Sequence, residues 1–137
     1  MLQQVIVDTG VLIALIDQHD RHHAWVSEQL DQIAPPLLTC EAVLSEAWFL
    51  LQRVRSGREA LLLLLEQDQI KVQFDLGAEL MSVVNLMRRY QSVPVSLADA
   101  ALVRMAELYP NSLIFTLDSD FQIYRKNRDI PILLIAP

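Results

Sequence analysis

Five short apolar runs recur along the chain with helical stretches between them, and this alternation constrains the fold more than any other feature. The runs are QVIVD (residues 4–8), PPLLTC (35–40), IKVQF (70–74), SLIFTLD (112–118) and IPILLIA (130–136). Their apolar residues mostly follow one another without alternation, as strands covered on both faces require. Between them lie GVLIALID, HHAWVSEQLDQI, EAVLSEAWFLLQRV, REALLLLLEQD, GAELMSVVNLMRRY and SLADAALVRMAEL, all read as helical. Asp20 offers an N-cap for the second helix. The prolines of the second run stand only at its start, where a missing N–H is tolerated. Gly57 does not close the helical pattern, because REALLLLLEQD resumes it at once. The last run is expected at a sheet edge. Strands and helices in this order predict a three-layer α/β/α sandwich around a mostly parallel sheet.

A length of 137 residues fits one domain, residues 1–137. At 53% hydrophobic content the chain can build a proper core. Its net charge of −6 works against unspecific binding to nucleic-acid phosphates. It leaves room for a site where metal ions neutralise clustered acids. Cys40 is the only cysteine, so no internal disulfide forms and a cytosolic setting is expected. The opening MLQQVIVDTG lacks a basic n-region, so no signal peptide is expected. The run ALLLLL (60–65) is too short to span a bilayer, and no membrane role is expected.

The acids carry the chemical signal. Asp8 ends the first apolar run and Asp118 the fourth, with Asp120 two residues on. Carboxylates this close repel unless water, a proton or a cation separates them. In open α/β sheets ligands bind beyond the carboxyl ends of strands. Asp8 is otherwise a turn residue in DTG, and Asp118 and Asp120 otherwise cap a short helix at DFQIYR. Glu46 is a lone acid among Ala42, Val43, Phe49 and Leu50 at helical spacing, a face expected to be buried, so it needs a partner. Arg53, two turns along the same face, is one candidate. Glu41 lies roughly 140° away around that helix and serves its dipole instead. Asp99 has apolar neighbours Leu102 and Val103, and Ser96-x-x-Asp99 also reads as a capping box. A single crevice holding Asp8, Glu46, Asp99 and Asp118 accounts for all of these acids together. An all-oxygen donor set suits Mg²⁺, or Mn²⁺ in its place, and such ions assist phosphodiester hydrolysis.

In order along the chain, VIVDTGVLIAL, LLTCEAVLSEAWFLL, SLADAALVRMAE and FTLDSDF resemble segments of the PIN-domain ribonucleases, in particular VapC-type toxins of toxin–antitoxin pairs. The resemblance implies a sheet of five parallel strands in order 3-2-1-4-5. It implies Mg²⁺-dependent cleavage of RNA by Asp8, Glu46, Asp99 and Asp118, with Thr116 in place and Asp120 as an accessory metal ligand. It also implies homodimers and an antitoxin partner. Against the overall acidity, RNA contacts would fall to Arg53, Arg125, Lys126 and Arg128, which also read as a solvated basic face.

Other readings compete. His19-x-x-His22-His23 invites a transition metal, but no cysteine stands nearby and the motif falls at a helix start. A receiver-like regulatory domain would carry a lysine at the end of the last strand, and IPILLIAP has none. A non-catalytic PIN-like module binding RNA or protein is the third, and the presence of all four matching acids counts against it.

Overall fold

The computed structural model describes residues 3–137. Its strands are β1 (Gln4–Val7), β2 (Leu37–Thr39), β3 (Ile70–Val72), β4 (Ser112–Phe115), β5 (Arg125–Lys126), β6 (Ile130–Pro131) and β7 (Leu134–Ile135). The helices are α1 (Thr9–Ile16), α2 (His23–Leu30), α3 (Glu41–Leu50), α4 (Gly57–Glu66), α5 (Leu80–Arg89) and α6 (Leu97–Leu108). The main sheet runs β3-β2-β1-β4-β7, with every pairing parallel. With β7 as the fifth strand, this is the expected order, in an α/β/α sandwich.

Local chemistry explains where the elements stop. Asp8 follows Val7 and accepts from the N–H of Thr9, so the chain turns from β1 directly into α1. The expected strand over 130–136 is split. Ile130–Pro131 pairs antiparallel with Arg125–Lys126 in a separate ribbon, and only Leu134–Ile135 joins the main sheet. Pro131 has no N–H to give a ladder, which suits it to the ribbon's edge. Asp20 does not cap α2. Its carboxylate accepts from the N–H of His22 and closes the turn before the helix, whose cap position is His22. The helical pattern is interrupted before Gly57. After α3 a 3₁₀ turn covers Leu51–Arg53, Ser56 takes a left-handed φ of 59°, and α4 restarts at Gly57. Gly57 is needed there, because a Cβ would lie 2.9 Å from Val54 Cβ.

The centre of the sheet forms the core. Ile6, Val7, Ile114 and Phe115 are fully buried. Each such side chain contributes about 1.5–3 kcal/mol of burial. Thr39, also buried, donates its hydroxyl to the Val7 carbonyl at 3.1 Å, so its polar group is not orphaned. Helix α6 packs on β1 and β4 and is rich in small buried residues, among them Ala98, Ala100, Ala101 and Ala106. Its alanines bring the helix backbone close to the sheet. That closeness carries the first turn of α6 to the carboxyl ends of β1 and β4.

Candidate metal centre

The chain leaves β1 for β2 and β3 on one side, then crosses back to place β4 on the other. The crevice between β1 and β4 is therefore the topological switch point of the sheet. The last rung pairs Val7 with Phe115, and the N–H of Asp8 still reaches the Phe115 carbonyl at 3.0 Å. Asp8 and Thr116 thus step off neighbouring strands side by side. The Thr116 hydroxyl donates to Asp8 Oδ2 at 2.8 Å and accepts from the Asp118 N–H at 2.9 Å. Asp118 in turn caps a 3₁₀ turn over Ser119–Gln122 by accepting from the N–H of Asp120 at 2.8 Å. Asp8, read from the sequence as a turn residue, caps α1, the capping role foreseen for Asp118 is real, and both roles aim the same carboxylates at the crevice.

Asp99 arrives from the first turn of α6. Ser96 caps that helix by accepting from the Asp99 N–H at 3.0 Å. The Asp99 carboxylate accepts a hydrogen bond at Oδ2 from the Tyr124 hydroxyl, at 2.9 Å. Oxygens from Asp8, Asp99 and Asp118 lie within 4.8 Å of one another. Two oxygens on opposite sides of one Mg²⁺ stand about 4.2 Å apart, since each bond is about 2.1 Å. Adjacent oxygens on the same ion stand about 3 Å apart, so the three acids would reach a single hard cation after their side chains draw in.

Glu46 and Asp120 line the same open cleft, of about 450 Å³, together with Thr9, Gly10, Leu50, Pro94, Ser96 and Leu117. The Thr9 hydroxyl lies 3.5 Å from Glu46 Oε2, a long contact. The expectation that Glu46 sits on a buried face is wrong. Helix α3 buries Val43 and Ala47, while Glu46, Phe49 (61% exposed) and Leu50 (44%) face outward. Of the apolar neighbours of Glu46, Val43 is buried, while Phe49 and Leu50 belong to an exposed apolar surface. No ion pair joins Glu46 to Arg53 among the described residues. Glu41 is exposed in the first turn of α3 and is not among the cleft residues.

The acids strain one another. Burial pushes the Asp8 carboxyl from 3.8 up to about 6. Hydrogen bonds from Thr116 and Thr9 oppose that rise, and the charges of Asp99 and Asp118 add to it. Asp99 is raised by burial and by Asp118, against the pull of Tyr124 and Ser96. Glu46 is raised by desolvation at the cleft and then by the charge of Asp99. Three carboxyls held above their ordinary range by burial and mutual repulsion are what a cation would relieve.

The basic side chains expected near the cleft are less available than the sequence suggested, and Lys126 and Asn127 bond Pro110 and Glu107, at the far end of α6 from Asp99. The Arg125 guanidinium donates to the carbonyls of Gln122, Ile123 and Tyr124. Lys126 is buried, its amine 3.5 Å from the Pro110 carbonyl. Arg53 and Arg128 remain exposed. The histidines form no metal grouping among the described residues: His23 bonds the Ala14 carbonyl and His22 accepts from Arg21 Nε. Thr9 and Tyr124 were missed in the sequence. Nothing in FQIYRK marks Tyr124 as a neighbour of an acid 25 positions away.

Comparison with known proteins identifies the family and the fold. The PIN domain family model matches residues 5–127. Ribonuclease VapC26 of Mycobacterium tuberculosis is 32% identical over 118 residues, covering 83% of this chain and 86% of that protein. Among solved structures, that of Mycobacterium tuberculosis VapC20, a Sarcin-Ricin loop cleaving toxin, superposes with a TM-score of 0.73. It covers 88% of this chain and 94% of its own at 22% identity, a likeness of fold.

Proposed function

The chain belongs to the PIN-domain family, among its VapC-type ribonucleases, and on that premise we propose that it is a Mg²⁺-dependent endoribonuclease acting as the toxin of a toxin–antitoxin pair. The observation that carries the reading is the meeting of Asp8, Asp99 and Asp118 within 4.8 Å at the switch point. Asp8, Asp99 and Asp118 would hold the ion, Glu46 would act from α3 in the same cleft, and Asp120 would assist. When bound, Mg²⁺ or Mn²⁺ supplies activation of water and stabilises charge on the attacking and leaving oxygens of a phosphodiester. The chain's own part is to orient. Thr116 fixes Asp8 and Asp118 in one hydrogen-bonded unit, and Ser96 and Tyr124 fix Asp99. An exposed carboxylate at Glu46, with a raised proton affinity, suits holding or passing a proton near the scissile phosphate.

The openness of the cleft suits an extended RNA strand, with the exposed Arg53, after α3, as a contact for phosphates. Protein partners are part of the reading. Trp48, Phe49 and Leu50 leave an exposed apolar surface on α3 that reaches the cleft at Leu50, suited to an antitoxin tail. The exposed Leu80, Met81 and Leu97 suit a second copy of the chain in a homodimer. None of the described helices is long and apolar enough to cross a membrane, and a cytoplasmic toxin is the setting proposed. The test is to incubate purified protein with RNA in Mg²⁺ and in EDTA. Cleavage that EDTA abolishes supports the reading. A chain that is stabilised by Mg²⁺ and binds RNA without cutting it would be the non-catalytic module instead.

A further inference from the structure

Among the described residues, the Tyr124 hydroxyl is the one hydrogen-bond donor to the Asp99 carboxylate. Tyr124 is fully buried. Its ring packs edge-on against Phe121 at 5.2 Å and against Tyr90 at 5.1 Å. These contacts join the 3₁₀ turn after β4, the end of α5 and the start of β5 into one aromatic wall. From that wall the phenol reaches Asp99 Oδ2 at 2.9 Å. Ser96 fixes the backbone of the same residue. A carboxylate has two oxygens, so with one held by the phenol the other remains for an ion. The phenol also sets the side-chain angle, so the ion need not collect a rotating carboxylate.

We propose that Tyr124 is a positioning residue for the metal centre, acting through Asp99 to raise its affinity for a divalent cation. The inference rests on the metal reading above. Groups that orient a metal ligand from behind typically change metal affinity or activity 10- to 100-fold when removed.

The test uses Tyr124→Phe, which keeps the ring and deletes the hydroxyl. Tyr90→Phe is its control. It deletes a hydroxyl in the same aromatic cluster, the one that accepts from the Arg125 N–H at 2.9 Å, without touching Asp99. Mg²⁺ binding to each full-length protein is measured by calorimetry, with melting of the metal-free protein alongside. Tyr124→Phe is expected to fold and to bind Mg²⁺ about 10-fold more weakly. Its nuclease rate should recover as Mg²⁺ is raised. Tyr90→Phe is expected to keep the wild-type affinity even if it melts lower. If Tyr124→Phe binds Mg²⁺ as the wild type does, the positioning role is overturned and the metal reading stands. If affinity falls equally in both variants, the loss is structural and the role is again overturned. Should the wild-type protein itself bind no Mg²⁺, both readings fall together.

Discussion

Replacing Asp8 by Asn should stabilise the metal-free protein, and by an amount that depends on pH. Asp8 is 7% exposed, and its carboxyl is raised from 3.8 to about 6. Each tenfold change in proton affinity is worth about 1.4 kcal/mol, so at pH 8 the ionised group costs the fold about 3 kcal/mol. For an acid whose folded value is raised, that cost sets in above the unfolded value and is complete above the folded one. Stability should therefore fall as pH rises from about 4 to about 6 and then level off. Asn keeps an oxygen for the Thr9 N–H but must offer its amide to Thr116, a mismatch worth about 1 kcal/mol. The net gain for Asp8→Asn is then about 2 kcal/mol at pH 8 and about zero at pH 4.5. For a chain of 137 residues the gain at pH 8 corresponds to a melting temperature higher by about 6–8 °C. Urea denaturation in EDTA at both pH values reads the difference directly. A variant no more stable than wild type at pH 8, or equally favoured at both values, would refute the electrostatic account of the crevice. Nuclease activity should be lost in the same variant.

Glu46→Gln should lower RNA cleavage by orders of magnitude while Glu41→Gln, on the same helix but outside the cleft, leaves it nearly unchanged; equal losses would mean the side of α3 has been misassigned. Gly57→Ala should destabilise by about 1–3 kcal/mol, because its Cβ would press on Val54 at 2.9 Å and on the Leu51 carbonyl at 3.2 Å; an unchanged urea midpoint would show that α4 shifts freely. A cognate antitoxin should inhibit by bringing an Arg or Lys to Asp8, Asp99 and Asp118 through charge-assisted hydrogen bonds. Added Mg²⁺ should then compete with it, so inhibition indifferent both to Mg²⁺ and to changing that residue to Ala would rule out blocking at the acids.

The parts of the site that lie on regular elements were legible in the sequence. Asp8 and Asp118 end apolar runs, and a parallel sheet gathers strand ends at its switch point. Asp99 was visible through Ser96, since a helix's first turn has a recognisable cap. Glu46 was placed in the right cleft on a mistaken premise. Periodicity reports which residues share a helix face, and it cannot distinguish a core from an exposed apolar surface such as that of Phe49 and Leu50. Tyr124 was invisible because its role depends on where a turn after β4 meets α6, which no local pattern encodes. The split of the last strand and the break at Ser56 were missed for a related reason. Both depend on tertiary fit around single residues, Pro131 and Gly57, within otherwise continuous patterns.

The central claim is that Asp8, Asp99 and Asp118 together hold a divalent cation. Crystals of the protein soaked in Mn²⁺ and measured for anomalous scattering test it most directly. The account predicts an anomalous peak between the three carboxylates, within bonding distance of an oxygen from each, and its loss in Asp99→Asn crystals. A map with no peak at the ends of β1 and β4, or one whose only peak lies at the histidines of residues 19–23, would contradict it.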